Sequence, residues 1–322
     1  MKDAQLWDII LKRLEADRKV VLLIVAESSN SSPGRQGFKM VVGEDAEQFG
    51  TIGGGIMEKN MIDYSLVLIS GHETKRIKRL HHTDKTKFEK SGLICGGYQI
   101  ILFSVIDKSH ISLIEEIIST INEKQSGELL ISPQNIGYNK SDKINPILFT
   151  HKSDDSWEYK ESIGRPLIAY ISGGGHVGLA VSRIMKSIGF YVVVFDHRAD
   201  VFTIKRNEYA DEIIITKYEE IGSKIIEDER SYIIIVTPML ECDSATLKSV
   251  INKNVKYIGL MGSKRKIKSI FEILRKDGVD EKLFDRVHTP IGLEIEADSP
   301  EEIAISIAAE IIKVKNAMEF EN

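Results

Sequence analysis

The stretch "LIAYISGGGHVGLAVSRIMKSIGFYVVVFD", residues 167–196, decides the fold. A short apolar run is followed by G-x-G-x-x-G, with glycines at Gly173, Gly175 and Gly178. Val177, Val181, Ile184 and Ile188 then keep helical spacing, and a second apolar run ends on Asp196. Strand, glycine turn, helix, strand and terminal acid in this order predict a dinucleotide-binding unit. Gly173 makes the tight turn, Gly175 lets backbone approach a pyrophosphate, and Gly178 allows close helix–strand packing. The helix N-terminus offers N–H groups and a favourable dipole to phosphates. Asp196 is expected to accept ribose hydroxyls. Arg198 is a candidate contact for a 2′-phosphate, but Asp196 would repel that group, so NAD is expected over NADP. His176 either meets a phosphate or faces solvent on the first helical turn. The fold can also serve as scaffold alone.

Working outward, "EIIIT", "YIIIV" and "VKYIGLM" are further continuous apolar strands separated by helical segments. That alternation predicts a parallel sheet covered on both faces. Gly262 and Ser263 fall at the end of the fifth strand, where open α/β sheets bind ligands. Ser263 reads as a helix cap or, with Lys264, as a nucleotide contact. His288 reads as a proton donor or a structural histidine, and Cys242 as a helix-start residue. Ser299, Pro300 and Glu302 form a start signal for the last helix, whose buried stripe is Ile303, Ile307 and Ile311. The turn-rich "ESIGRP" marks the expected boundary between domains 1–163 and 164–322. The expected class is α/β: a C-terminal Rossmann-type doubly wound parallel sheet with an N-terminal mixed α+β domain.

The N-terminal half lacks a βαβ rhythm. A helix is expected over residues 3–16, then strands at "VVLLIVAES", "KMVV", "QFGTI", "ETKRIKRLHH", "YQIILFSVI", "GELLI", "PILFT" and "SWEYK", with helices over 55–70 and 111–121. "FGTIGGGIMEKNMID" places Gly53, Gly54 and Gly55 before a helix but lacks the lysine and hydroxyl of a Walker loop. Glu58 reads as an acid on the first helical turn that complements the helix dipole. Cys95, Gly96 and Gly97 form a second glycine turn, in "ICGGY", which leaves the thiol accessible and lets a ligand approach the backbone, or uses Cys95 only as a small turn residue. The basic run at residues 71–87 alternates faces as a strand and reads as a solvated sheet edge.

Of 322 residues, 42% are hydrophobic and 28% charged, with a net charge of −5. These values suit a soluble chain and argue against a dedicated nucleic-acid binder. The two cysteines form no framework, the amphipathic start does not read as a signal peptide, and no apolar run reaches membrane-spanning length. A cytoplasmic location is expected.

Taken together, "SSPGRQGFKMVV", "GTIGGGIMEKN", "CGGYQIILF", "SGGGHVGLAVSRIMKSIGFYVVVFDHR", "YIGLMGSKRK" and "HTPIGLEIEADSPEEIAISIAAEII" resemble the xanthine dehydrogenase accessory proteins, the XdhC/CoxI family. The resemblance implies a factor that binds molybdenum cofactor (molybdopterin, or its cytosine dinucleotide form), assists its sulfuration and delivers it to a molybdenum hydroxylase apoenzyme. It makes a cysteine desulfurase a candidate partner and a homodimer a candidate assembly. The resemblance places the cofactor against the glycine turns and the Rossmann face, with Glu58 a candidate partner for pterin nitrogens and the Cys95 thiolate a candidate soft ligand for molybdenum. Ile56 stands where many relatives have cysteine, Pro238 and Leu240 stand where histidines are common, and Glu296 replaces a glycine. Two alternatives remain beside a maturation factor: an NAD-dependent oxidoreductase, and a non-catalytic nucleotide-sensing or docking protein.

Overall fold

The computed structural model describes residues 2–29, 32–81, 97–141, 145–164 and 166–316. The chain divides into two compact units, Met1–Arg165 and Pro166–Asn322.

The first unit runs α1 (Lys2–Glu15), β1 (Val20–Ser28), β2 (Lys39–Gly43), β3 (Gln48–Gly50), α2 (Gly55–Ile69), β4 (Ile77–His81), β5 (Tyr98–Ile106), α3 (Ile111–Asn122), β6 (Ser126–Ile131), β7 (Ile136–Lys140), β8 (Leu148–Ser153) and β9 (Ser156–Gly164). Two sheets result, ordered β3-β2-β1-β5-β4 and β7-β6-β9-β8, and their pairings are antiparallel. β1 is apolar through most of its length because both of its faces are buried. Val20, Leu22 and Ile24 join α1 (Leu6, Trp7, Ile10, Leu14), α3 and the second sheet in one core. Val21, Leu23 and Val25 face α2 through Met57, Met61 and Leu68 in another.

The second unit runs β10 (Ile168–Ser172), α4 (His176–Ser187), β11 (Tyr191–Asp196), α5 (Phe202–Lys205), β12 (Glu212–Ile215), β13 (Ser231–Ile235), α6 (Leu240–Val250), β14 (Tyr257–Leu260), α7 (Lys264–Lys276), β15 (Val287–His288) and α8 (Pro300–Asn316). Its sheet is ordered β12-β11-β10-β13-β14-β15, parallel at every pairing. Alternate residues of each strand enter opposite cores. Tyr170, Val193, Phe195, Ile233 and Ile235 meet α6 and α7. Ala169, Ile171, Val192, Val194 and Ile234 meet α4 and α8. This is the doubly wound Rossmann-type sheet expected from the sequence. The reversal of strand order between β10 and β13 opens a crevice at their carboxyl ends.

Some expected elements differ. "QFGTI" is strand only to Gly50, because Thr51 and Ile52 turn into the glycine loop. "ETKRIKRLHH" is extended only over Ile77–His81 among the described residues. There Glu73 accepts the amides of Thr74 and Lys75, a local turn that competes with extension. β4 is an edge strand of its sheet. "PILFT" shifts to Leu148–Ser153. β7 and the two-residue β15 were not expected.

Candidate functional site

Each fingerprint glycine meets a different constraint. Gly173 has φ +114°, and a Cβ there would lie 2.9 Å from the Val236 carbonyl oxygen. At Gly178 a Cβ would lie 1.9 Å from the Gly173 oxygen, so close packing of α4 on the turn excludes any side chain. Gly175 opens to free space. It is the N-cap of α4 and makes no side-chain cap bond. The helix therefore presents its first amides and its dipole to a cleft of about 420 Å³ lined by Gly175, His176, Arg198, Phe202, Pro238 and Met261. His176 is exposed on the first turn.

Asp196 ends β11 fully buried, with 0% exposure. Its Oδ2 accepts the Gly174 amide at 2.9 Å and Arg198 Nη2 at 2.9 Å. Its Oδ1 accepts the Arg198 amide at 3.0 Å and Arg198 Nε at 2.9 Å. Burial alone would raise its pKa, but Arg198 and the Gly174 amide hold it below the ordinary aspartate value. Thr203 donates to the Gly174 carbonyl, so the middle of the glycine turn is held from both sides.

Beyond β13 and β14 lies a second polar cluster. Asp243, on the first turn of α6, is fully buried. It accepts the Thr237 hydroxyl at 2.5 Å and ion-pairs with Lys266 at 2.5 Å. Lys266 Nζ also donates to the Thr237 carbonyl at 3.3 Å. Burial pushes the Asp243 carboxyl up despite these partners. Ser263 caps α7, accepting the Lys266 amide at 3.3 Å. Gly262 packs against the Lys266 side chain, and a Cβ there would lie 3.2 Å from its Cδ. Lys264 is exposed. Lys266 was missed by sequence reasoning; the signal was a lysine on the first turn of a helix starting at the ligand edge of the sheet. Cys242 is buried in α6, and burial raises its thiol pKa. His288 is half-buried and held by an acid. Its Nδ1 lies 3.0 Å from Glu310, which also accepts Tyr257 at 2.5 Å and the Gly292 amide at 2.8 Å.

In the first unit, Gly53, Gly54 and Gly55 all take positive φ, at 133°, 84° and 70°. Only glycine adopts such a run without strain. Glu58 Oε1 accepts Thr51 Oγ1 at 2.6 Å and the Ile52 and Gly54 amides at 2.8 Å each. Two amides of the loop thus point inward. Although burial opposes it, this set of donors holds the Glu58 pKa below its ordinary value. Gln99 buttresses the loop by donating to the Ile52 carbonyl at 2.8 Å. Ile56, on the first turn of α2, is 55% exposed. Gly97 has φ +82°; Cys95 and Gly96 lie outside the described residues.

Of the expected groups, a pyrophosphate fits the first turn of α4, where Gly175 leaves room and no side chain caps the amides. Among the described residues no cluster of three or more His, Cys, Asp or Glu could hold a metal ion. Among them, too, no helix is long and apolar enough to cross a membrane.

Residues 13–81 match the XdhC and CoxI family, and residues 169–311 match the XdhC Rossmann domain. The uncharacterized protein YqeB of Escherichia coli (strain K12) is 26% identical over 297 residues, covering 91% of this chain and 43% of that protein. A probable xanthine dehydrogenase subunit of Bacillus subtilis (strain 168) is 27% identical over 143 residues, 44% of this chain and 41% of that protein. The chain therefore spans less than half the length of either relative. The crystal structure of a xanthine dehydrogenase from Bacillus halodurans has the same fold, with a TM-score of 0.76 at 21% identity over 98% of this chain and 96% of that one. With both segments present in order, the chain belongs to the XdhC and CoxI family and carries an XdhC Rossmann domain as its second unit.

Proposed function

We propose that the chain is a maturation factor for a molybdenum hydroxylase of the xanthine dehydrogenase type, binding molybdenum cofactor and passing it to the apoenzyme. The carrying observation is the pair of family segments joined in one chain, supported by similarity to a protein named as a probable xanthine dehydrogenase subunit. In this reading the chain is a cytoplasmic carrier rather than a catalyst. The client apoenzyme, a cysteine desulfurase and a second copy of the chain are its partners. The cofactor supplies the molybdenum–sulfur chemistry of the client. This chain's residues bind and orient: the α4 amides and Gly175 take a pyrophosphate, as found in NAD or the cytosine dinucleotide form of molybdopterin. Cys95 is the thiolate assigned to the metal.

Anaerobic purification with molybdenum and pterin analysis tests this, on the wild-type chain and on Cys95→Ala. Stoichiometric pterin, with molybdenum lost on Cys95→Ala, is expected. Absence of both under every loading condition would sink the proposal.

A further inference from the structure

We infer that the fingerprint cleft selects a dinucleotide carrying an extra phosphate on its adenosine ribose, that Arg198 reads this phosphate, and that Asp196 positions Arg198 instead of accepting ribose hydroxyls. The inference rests on the reading that the cleft holds a nucleotide and narrows which one.

The geometry begins with the Asp196 carboxylate. An ionised carboxylate offers about four lone-pair sites. Here all are taken, by the Gly174 amide, the Arg198 amide, and Arg198 Nε and Nη2. His197 Nδ1 adds a further contact at 3.5 Å. With no exposed surface, Asp196 has neither room nor a lone pair for a ribose hydroxyl. An NAD ribose would have to displace a bidentate, charge-assisted pair to reach it.

What the cleft receives in its place is the outer edge of Arg198. Two of its guanidinium N–H groups go to Asp196. Nη1 makes no hydrogen bond among the described residues, the side chain is 40% exposed, and it lines the cleft beside Gly175 and His176. A guanidinium has five donors in a fixed fork, so one held by its inner edge is preorganised to meet an anion with its outer edge. The ion pair also removes the reason to expect exclusion of phosphate. Asp196 acts on an incoming anion not as a bare charge but as half of a neutral pair. The ligand at this end of the cleft then meets unused cationic donors, together with the N-terminal dipole of α4. Sequence reasoning weighed Asp196 and Arg198 as rivals; the fold makes one the support of the other.

Isothermal titration of the full chain uses four probes: NADP⁺, NAD⁺, adenosine 2′,5′-bisphosphate and 5′-AMP. At low salt each 2′-phosphorylated probe is expected to bind at least about tenfold tighter than its partner, the scale of one charge-assisted contact. The ratio should shrink with added salt. Arg198→Gln should bring the ratio close to one, and Arg198→Lys should restore part of it. Asp196→Asn loosens the hold on Arg198, so the ratio should fall even though a negative charge has been removed; a ratio read between two probes is not moved by a change in the glycine turn they share. Equal binding of NAD⁺ and NADP⁺, a ratio unchanged by Arg198→Gln, or a ratio raised by Asp196→Asn overturns this inference while the nucleotide reading stands. No binding of any probe overturns both.

Discussion

The Gly54 amide donates to Glu58 Oε1 at 2.8 Å across the start of α2, so the glycine loop of the first unit is closed by its own helix. The same oxygen takes Thr51 and the Ile52 amide. Glu58→Ala leaves three donors without an acceptor, two of them amides of a turn that only glycine can form. A loss of about 2–4 kcal/mol is expected from the stranded buried donors. Trp7 and Trp157, the two tryptophans of the chain, lie in the first unit and are buried. The fluorescence transition therefore reads this unit. An unchanged midpoint in Glu58→Ala would mean that the loop is held by something else.

Two fingerprint glycines should fail in opposite ways. Gly178→Ala forces a Cβ to within 1.9 Å of the Gly173 oxygen, and relief requires α4 to move off β10. A cost of at least about 3 kcal/mol is expected, read as loss of amide protection in β10. Gly175→Ala meets nothing within 4 Å. It should cost no more than about 1 kcal/mol as an N-cap change, yet weaken nucleotide binding, because the methyl points into the space a ligand would use. Equal effects from the two substitutions would contradict the roles assigned to them.

The fold was legible wherever pattern is local. Residues 167–196 carry strand, turn, helix and strand within one window, and "YIIIV" is apolar because both of its faces are covered. The family resemblance read from the motifs holds for both segments. β7 escaped notice because "IGYNK" is short and ends in polar, exposed residues. The site was less legible, for a different reason. Residue types announced that Asp196 and Glu58 are acids near glycine turns. Whether their oxygens face a ligand depends on donors such as Gly174, brought in by the turn from 22 residues away. Lys266 gained its role only when α6 and α7 brought it against Asp243.

Lys266 neutralises a carboxylate that has no exposed surface. Lys266→Met removes that partner and should destabilise the second unit by about 3–5 kcal/mol at neutral pH, the usual result of breaking a buried pair from one side. Pairing it with Asp243→Asn should return most of the loss, because the stranded charge is gone. Hydrogen exchange in β13 and α6 measures both. If the double variant were as unstable as Lys266→Met alone, the lysine would act through packing and not through charge.

The two buried aspartates of the second unit should depend on pH with opposite sign. Burial alone would raise the Asp196 pKa, but Arg198 and the Gly174 amide bring it below 3.8. Its folded value lies under its unfolded one, so it contributes stability above about pH 4 and loses it as pH falls through the folded value. Asp243 is shifted the other way, burial outweighing Lys266 and Thr237. Its contribution is present below the unfolded value of 3.8 and is lost as pH rises through the folded one. Asp196→Asn should therefore cost most at neutral pH, on the order of 2 kcal/mol for weakened charge-assisted bonds, with the gap to wild type closing in acid. Asp243→Asn should be least harmful at neutral pH, where the wild-type carboxylate carries its desolvation cost. Any advantage it has should likewise vanish in acid. Unfolding of the second unit, followed from about pH 3 to pH 7 for both variants, distinguishes the cases. Parallel curves for the two would show that the Lys266 pair holds Asp243 as firmly ionised as Arg198 holds Asp196.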